Sequence, residues 1–216
     1  GKRALASVSM DPDLLRAYGW RGGARPDDGH LGRIVRVDRG ECDLVTDDGH
    51  LRVLSDSLRS QDLVAPATGD WVVVVDDPEL GPLISRVLER ANTVSRRDPS
   101  EAVVEQVLVA NVDLVLIVHG LDRPLPPGRL ERFLVLGWDS GVEVVVVLTK
   151  VDREPEAAVE VAATVRALAP EVDVLAVGMD RDRSGLDSVA ALMAPGRTVA
   201  LLGESGAGKS TLVNAL

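Results

Sequence analysis

From Leu31 onward, apolar and polar positions alternate in short runs, a period of two that predicts half-buried strands. Leu31–Asp38 is the first, and Cys42–Thr46 follows the turn-like Arg39-Gly40. Asp47-Asp48-Gly49 is a hairpin signal into Leu51–Leu54. After a break at Pro66–Gly69, Asp70-Trp71 opens the run Val72–Val75, and Gly81-Pro82 leads into Leu83–Leu88. Five short strands in about sixty residues, with no helical period, predict a Greek-key barrel of the OB type; a sandwich fragment is the competitor.

From about Asp98 the period changes. Val112–Val118, Val142–Leu148, Val172–Val177 and Val199–Leu202 are apolar runs of strand length, the first three interrupted only at their second position by Asp113, Glu143 and Asp173. Between them lie helical patterns over Pro127–Trp138, Glu154–Leu168 and Leu186–Met193. Strands buried on both faces and separated by helices predict a parallel, doubly wound α/β sheet. The first residues are poorly patterned. Pro12 to Gly19 reads as a short helix with Asp11 as N-cap, and Arg21 to Gly29 as a loop rich in Gly, Arg and Asp. The expected division is an extension over 1–30, a barrel over 31–97 and an α/β domain over 98–216, with the boundary near Val94–Ser100.

Composition narrows the class. Of 216 residues, 45% are hydrophobic and 27% charged, the balance of a soluble globular protein; with 2% aromatics the core must be aliphatic. The longest apolar runs are too short to span a bilayer, and no basic stretch followed by an apolar run marks a secretory leader. A lone cysteine, Cys42, excludes an internal disulfide and a cysteine-built zinc site. The compartment expected is the cytoplasm.

The net charge of −10 argues against a protein that coats nucleic acid. It is uneven: residues 1–97 carry 14 basic and 16 acidic side chains, residues 98–216 carry 10 and 18. Arg33, Arg36, Arg39, Arg86, Arg90, Arg96 and Arg97 read either as a local basic face or as solvated strand positions balanced by nearby aspartates. There are 21 arginines but only three lysines, Lys2, Lys150 and Lys209, so a retained lysine marks a place where a compact ammonium is needed.

Two of those lysines fall in motifs. Gly203-Glu204-Ser205-Gly206-Ala207-Gly208-Lys209-Ser210-Thr211 satisfies G-x-x-x-x-G-K-[ST] between a predicted strand and a predicted helix, the context a phosphate loop requires. Its glycines let successive amides point at phosphate oxygens. Lys209 reaches the β- and γ-phosphates, and the Ser210 hydroxyl is placed for Mg²⁺. Thr149-Lys150-Val151-Asp152, directly after Val142–Leu148, matches the guanine-reading [NT]-K-x-D. Asp152 would accept from guanine N1–H and the 2-amino group, donors that adenine lacks. Lys150 would lie along the base and Thr149 would tie the loop to the phosphate loop. Four residues alone also read as a helix-initiating loop, but the C-terminal end of a parallel strand is where such sheets bind ligands. Val177-Gly178-Met179-Asp180, with Ser184-Gly185-Leu186, occupies the place of an S-A-x loop touching guanine from its other side; Gly178 and Met179 depart from that pattern.

The order of these motifs is inverted relative to ordinary GTPases, whose phosphate loop comes first. A barrel followed by a circularly permuted sheet resembles the bacterial ribosome-small-subunit-dependent GTPase A family (RsgA, also called YjeQ), in particular its actinobacterial members. The resemblance rests on Ala110-Asn111-Val112-Asp113, Gly128-Arg129-Leu130-Glu131-Arg132-Phe133-Leu134-Val135-Leu136, Val146–Asp152, Gly69-Asp70-Trp71-Val72 and Tyr18-Gly19-Trp20. It implies a monomeric factor of late 30S assembly that binds GTP or GDP with Mg²⁺ and hydrolyses GTP on the small subunit. The barrel would meet 16S rRNA. The family continues past the phosphate loop with a threonine-bearing switch, a D-x-P-G motif and a zinc-binding region, whereas this chain stops at Leu216. The resemblance therefore implies a GTPase domain cut short after the phosphate loop, with Zn²⁺ ligands outside this chain, imperfect nucleotide binding and no competent hydrolysis. No catalytic residue is assigned.

Two other functions fit the same residues: a P-loop ATPase with an OB appendage, if Thr149–Asp152 is accidental, and a non-catalytic rRNA-binding module. Elsewhere, His119 reads as a structural or surface histidine, His30 and His50 as solvated turn residues, and Cys42 as an inert strand residue. Trp71 and Trp138 read as core, and Trp20, Trp71 and Trp138 as too far apart to stack bases.

Overall fold

The computed structural model describes residues 13–23, 25–54, 64–97, 105–179 and 183–216. Lys2, Asp11, Pro12, Asp180 and the Arg97 side chain, named above, lie outside the described residues. The chain forms two compact units, residues 1–111 and 112–216.

The first unit is built on a closed five-stranded barrel in the order β1-β2-β3-β5-β4, from β1 (His30–Asp38), β2 (Glu41–Thr46), β3 (Gly49–Leu54), β4 (Trp71–Asp77) and β5 (Gly81–Val87). The alternation read from sequence has its cause inside: Ile34, Cys42, Leu44, Val53, Val72, Val74 and Ile84 converge on one core. Bulges at Ile34/Arg36 and at Val73/Val74 bend β1 and β4, which lets so few strands curl shut. A single parallel pair, Leu54 with Leu83, closes the ring. Outside it, α1 (Leu14–Ala17) lays Leu15 on Leu31, Val45 and Trp71, so this part of the wall is buried on both faces.

A further hairpin, β6 (Thr93–Arg97) with β7 (Glu105–Ala110), belongs to this first unit. The sequence pattern changes near Val94–Ser100, inside the hairpin, whereas the compact units meet after Asn111. Asn111 explains why: its Nδ2 donates to the Gly69 carbonyl at 2.9 Å and its Oδ1 accepts from the Ala91 amide at 2.9 Å, tying the end of β7 to the entry of β4.

Four readings change here. Arg33 is buried, its guanidinium 4.7 Å over the Trp71 ring and Nη2 donating to the Asn111 carbonyl, so it is no part of an exposed basic face. Arg90 pairs with the fully buried carboxylate of Asp70 at 2.7 Å. Trp20 meets Trp71 edge to face at 4.9 Å, while Trp138 is half exposed and not core. His30 and His50 stand in strands rather than turns, both exposed.

The second unit is a parallel sheet in the order β10-β9-β8-β11, with β8 (Leu114–Gly120), β9 (Glu143–Thr149), β10 (Asp173–Val177) and β11 (Val199–Leu202). Every residue of β8 is buried, as a central strand in such a sheet must be. One face, Leu114, Leu116, Val118, Val145 and Val147, packs on Leu186 and Val189 of α4 (Leu186–Ala190) and Leu212 of α5 (Lys209–Ala215). On the other face α2 (Pro127–Asp139) buries Leu130, Leu134 and Gly137, one turn apart, with Gly137 set against Val115 and Val144. Between β9 and β10 runs α3 (Pro155–Leu168). The helix read over Leu186–Met193 stops at Ala190, where Ala191, Leu192 and Met193 continue as turns ahead of Pro195.

Candidate nucleotide site

Residues at the C-terminal ends of β11, β9, β10 and β8 meet at one rim of the sheet. After β11, Gly203 turns the chain with φ +148°, and a Cβ there would sit 2.2 Å from the Val118 carbonyl oxygen, so only glycine lets the loop leave so close to β8. Glu204, Ser205, Gly206, Ala207 and Gly208 then wrap towards α5. Lys209 folds over this loop, its Nζ donating to the carbonyls of Gly203 at 2.8 Å and Glu204 at 2.7 Å. Ser210, in the first turn of α5, is exposed beside it, and Thr211 follows.

The loop after β9 is bonded to this cradle at two points. Thr149, buried, donates its hydroxyl to the Ala207 carbonyl at 2.6 Å, with the His119 carbonyl at 3.3 Å. Lys150 Nζ donates to the Gly206 carbonyl at 2.9 Å and lies 2.7 Å from Asp122 Oδ2. The adjoining loop after β10 is joined in turn: the Val151 amide donates to the Val177 carbonyl at 3.4 Å, and the Met179 amide to Asp152 Oδ1 at 3.1 Å. Gly178 lies against Asp152 and donates its amide to the Ser184 carbonyl at 3.0 Å. Asp152, Gly178 and Met179 are therefore neighbours.

Sequence reasoning assigned nothing to the β8–α2 segment. There Arg123 Nη1 donates to the Ser205 carbonyl at 3.1 Å and Arg129 Nη1 meets Glu204 Oε2 at 2.8 Å. The signal available was position, since Asp122 and Arg123 directly follow the C-terminal end of a buried parallel strand. His119 is buried beneath, its Nε2 within 3.1 Å of the Arg123 carbonyl oxygen, and burial pushes its pKa below the usual range. The hydroxyl of Ser210 is a hard oxygen donor next to the Lys209 ammonium, a setting that would fit Mg²⁺. Among the described residues no group of three or more His, Cys, Asp or Glu side chains forms a metal-binding cluster, and no helix is long and apolar enough to cross a membrane.

Comparison with known proteins agrees with this geometry. The family model for the RsgA GTPase matches residues 87–216. The small ribosomal subunit biogenesis GTPase RsgA of Streptomyces avermitilis is 42% identical over 221 residues, covering 97% of this chain and 59% of that protein. Its namesake in Streptomyces coelicolor is 44% identical over 189 residues, covering 86% and 50%. The chain thus spans between half and three-fifths of these curated relatives. Among solved structures, YjeQ from Thermotoga maritima superposes with a TM-score of 0.62 at 23% identity, covering 86% of this chain and 64% of that one. YloQ, a circularly permuted GTPase, gives 0.58 at 22%, covering 89% and 67%. These two likenesses bear on fold alone, and the fold they share with this chain is a barrel followed by a permuted GTPase sheet. The match over most of the chain, together with the inverted order of Thr149–Asp152 and Gly203–Thr211, places this chain in the RsgA GTPase family.

Proposed function

We propose that this chain binds GTP and GDP at the rim formed by Thr149–Asp152, Gly178-Met179 and Gly203–Thr211, and that the protein acts in small-subunit biogenesis, hydrolysing GTP on the 30S subunit. The observation that carries the reading is the pair of bonds from Thr149 to the Ala207 carbonyl and from Lys150 to the Gly206 carbonyl. They join the loop after β9 to the loop after β11, more than fifty residues apart, which supports reading the two as the base-reading and phosphate loops of one site. An ATPase reading leaves Asp152 and its neighbours without a task.

The chemistry follows from these groups. The amides of the phosphate loop and the Lys209 ammonium neutralise phosphate charge, Lys209 exchanging its carbonyl partners for β- and γ-phosphate oxygens. Asp152 accepts from guanine N1–H and N2–H, and the Met179 amide fixes its orientation. Ser210 would hold Mg²⁺, which would neutralise charge on the bound phosphates. The exposed Arg36 and Arg39, on β1 of the barrel and the turn after it, and Arg96 on β6 of the adjoining hairpin are the candidates for rRNA phosphates; Arg33 and Arg90 are not. The protein acts in the cytoplasm as a monomer.

The test is a change of base. Asp152→Asn offers an amide in place of the carboxylate, so affinity moves from GDP towards XDP, whose 2-oxo group accepts from it. Competition titration with both diphosphates reads this directly. Retained preference for GDP in the variant removes Asp152 from base recognition.

A further inference from the structure

The β8–α2 segment touches the site at a point that neither motif explains. Asp122 lies 2.7 Å from the Lys150 ammonium, which also donates to the Gly206 carbonyl at 2.9 Å. One lysine is thus fixed by oxygens from two different segments, one of them the phosphate loop itself. Its backbone is equally determined, since Lys150 has φ +66°, a conformation rare for a side chain of this size. A four-carbon stem otherwise samples many rotamers, and an ammonium with a single carbonyl partner would not hold it.

Gly120 is an independent sign that the pair is built in. A Cβ at this position would come 2.8 Å from Asp122 Oδ1 and 3.2 Å from Lys150 Nζ. The end of β8 is bare where the carboxylate and the ammonium meet. The hydrogen bond from Lys150 also holds the Asp122 carboxyl below the usual carboxylate range, so the carboxylate is ionised at neutral pH.

We propose that Asp122 is a positioning residue of the nucleotide site, pinning the Lys150 ammonium against the Gly206 carbonyl so that the lysine stem is laid out as the platform on which the purine packs. In this arrangement Asp122 acts through Lys150. The inference rests on the guanine reading above for its consequence, though not for the clasp itself. Loss of the carboxylate frees the ammonium, and the platform must then be ordered anew at each binding event.

Two readouts separate the clasp from its consequence. The chain has only three lysines, so acylation of Lys150 by an amine-reactive ester can be timed by mass spectrometry against Lys209 in the same sample. Asp122→Ala should speed acylation of Lys150 about fivefold while Lys209 keeps its rate, with Asp122→Asn between the two because it retains an acceptor. In parallel, Asp122→Ala should weaken GDP about fivefold at an unchanged melting temperature, and should add nothing in a Lys150→Ala background. An unchanged Lys150 acylation rate overturns the clasp whatever the nucleotide does. Faster acylation with unaltered GDP affinity, or additive effects of the two substitutions, overturns the positioning role. Should the unsubstituted chain bind ADP as tightly as GDP, the guanine reading fails and the acylation rates alone decide the clasp.

Discussion

Lys150 and Lys209 both end on carbonyl oxygens of the same loop, and the difference between their partners sets what each substitution should do. Lys209 stands over Gly203 and Glu204, where phosphate oxygens would enter. Lys209→Ala should therefore cost GDP affinity about two orders of magnitude by calorimetry, the size of a lost charge-assisted contact to phosphate, and leave GDP no better bound than guanosine. Undiminished GDP affinity would remove the phosphate-loop assignment. Cys42 illustrates a residue whose surroundings silence it: burial pushes its thiol up to about 11. The folded state keeps the proton that the unfolded thiol gives up near 9.0, so Cys42 favours folding fully below that pH and loses this contribution as pH rises towards 11. Alkylation at pH 8 should be negligible in the folded chain and prompt in urea, and rapid labelling without denaturant would contradict the buried position. Residues such as Gly203 and Lys209 were legible in the sequence because their constraint is local, a turn and a motif. Arg33 was not, since nothing in its neighbours announces Trp71 beneath it, and neither was Asp122, whose partner Lys150 lies in the loop after the next strand.

Elements followed the same division. The five barrel strands were readable as short runs between turn signals, each with a dry face on the barrel core, and β8 and β9 because a central parallel strand has two dry faces. The β6–β7 hairpin went unread: its bulge at Val94/Ser95 breaks the alternation, and its second strand begins with Glu105-Gln106. Its attachment through Asn111 to Gly69 is a tertiary fact with no local trace. Beside that junction the buried Asp70 carboxylate accepts from Arg90 and from the Ala67 amide at 2.7 Å. Asp70→Asn removes the charge that compensates Arg90 and should destabilise the first unit by about 3 kcal/mol in urea unfolding; a loss below about 1 kcal/mol would mean the pair is not buried in solution. The barrel wall also sorts its arginines. Reversing Arg36 and Arg39 should weaken 30S association and flatten its salt dependence with folding intact, whereas reversing Arg33 should unfold the barrel. Identical salt slopes before and after the Arg36 and Arg39 changes would take this wall out of the rRNA interface.

At the scale of the whole molecule, chain order is the informative quantity. The strand carrying Thr149 precedes the strand feeding the phosphate loop, yet in the sheet β8 alone separates them, and their loops bond to each other across it. Spatial adjacency is thus kept while sequence order is inverted, which is what circular permutation of a parallel sheet does. The sequence displayed the inversion plainly; it could not display the bonds that join the two loops, from which a single nucleotide site is proposed. The most direct test of that single site is a calorimetric titration of the chain with GDP and then ADP in the presence of Mg²⁺. The account predicts GDP binding with ADP at least about a hundredfold weaker, because Asp152 would be left facing a base with no donor for it. Comparable binding of the two nucleotides would contradict it.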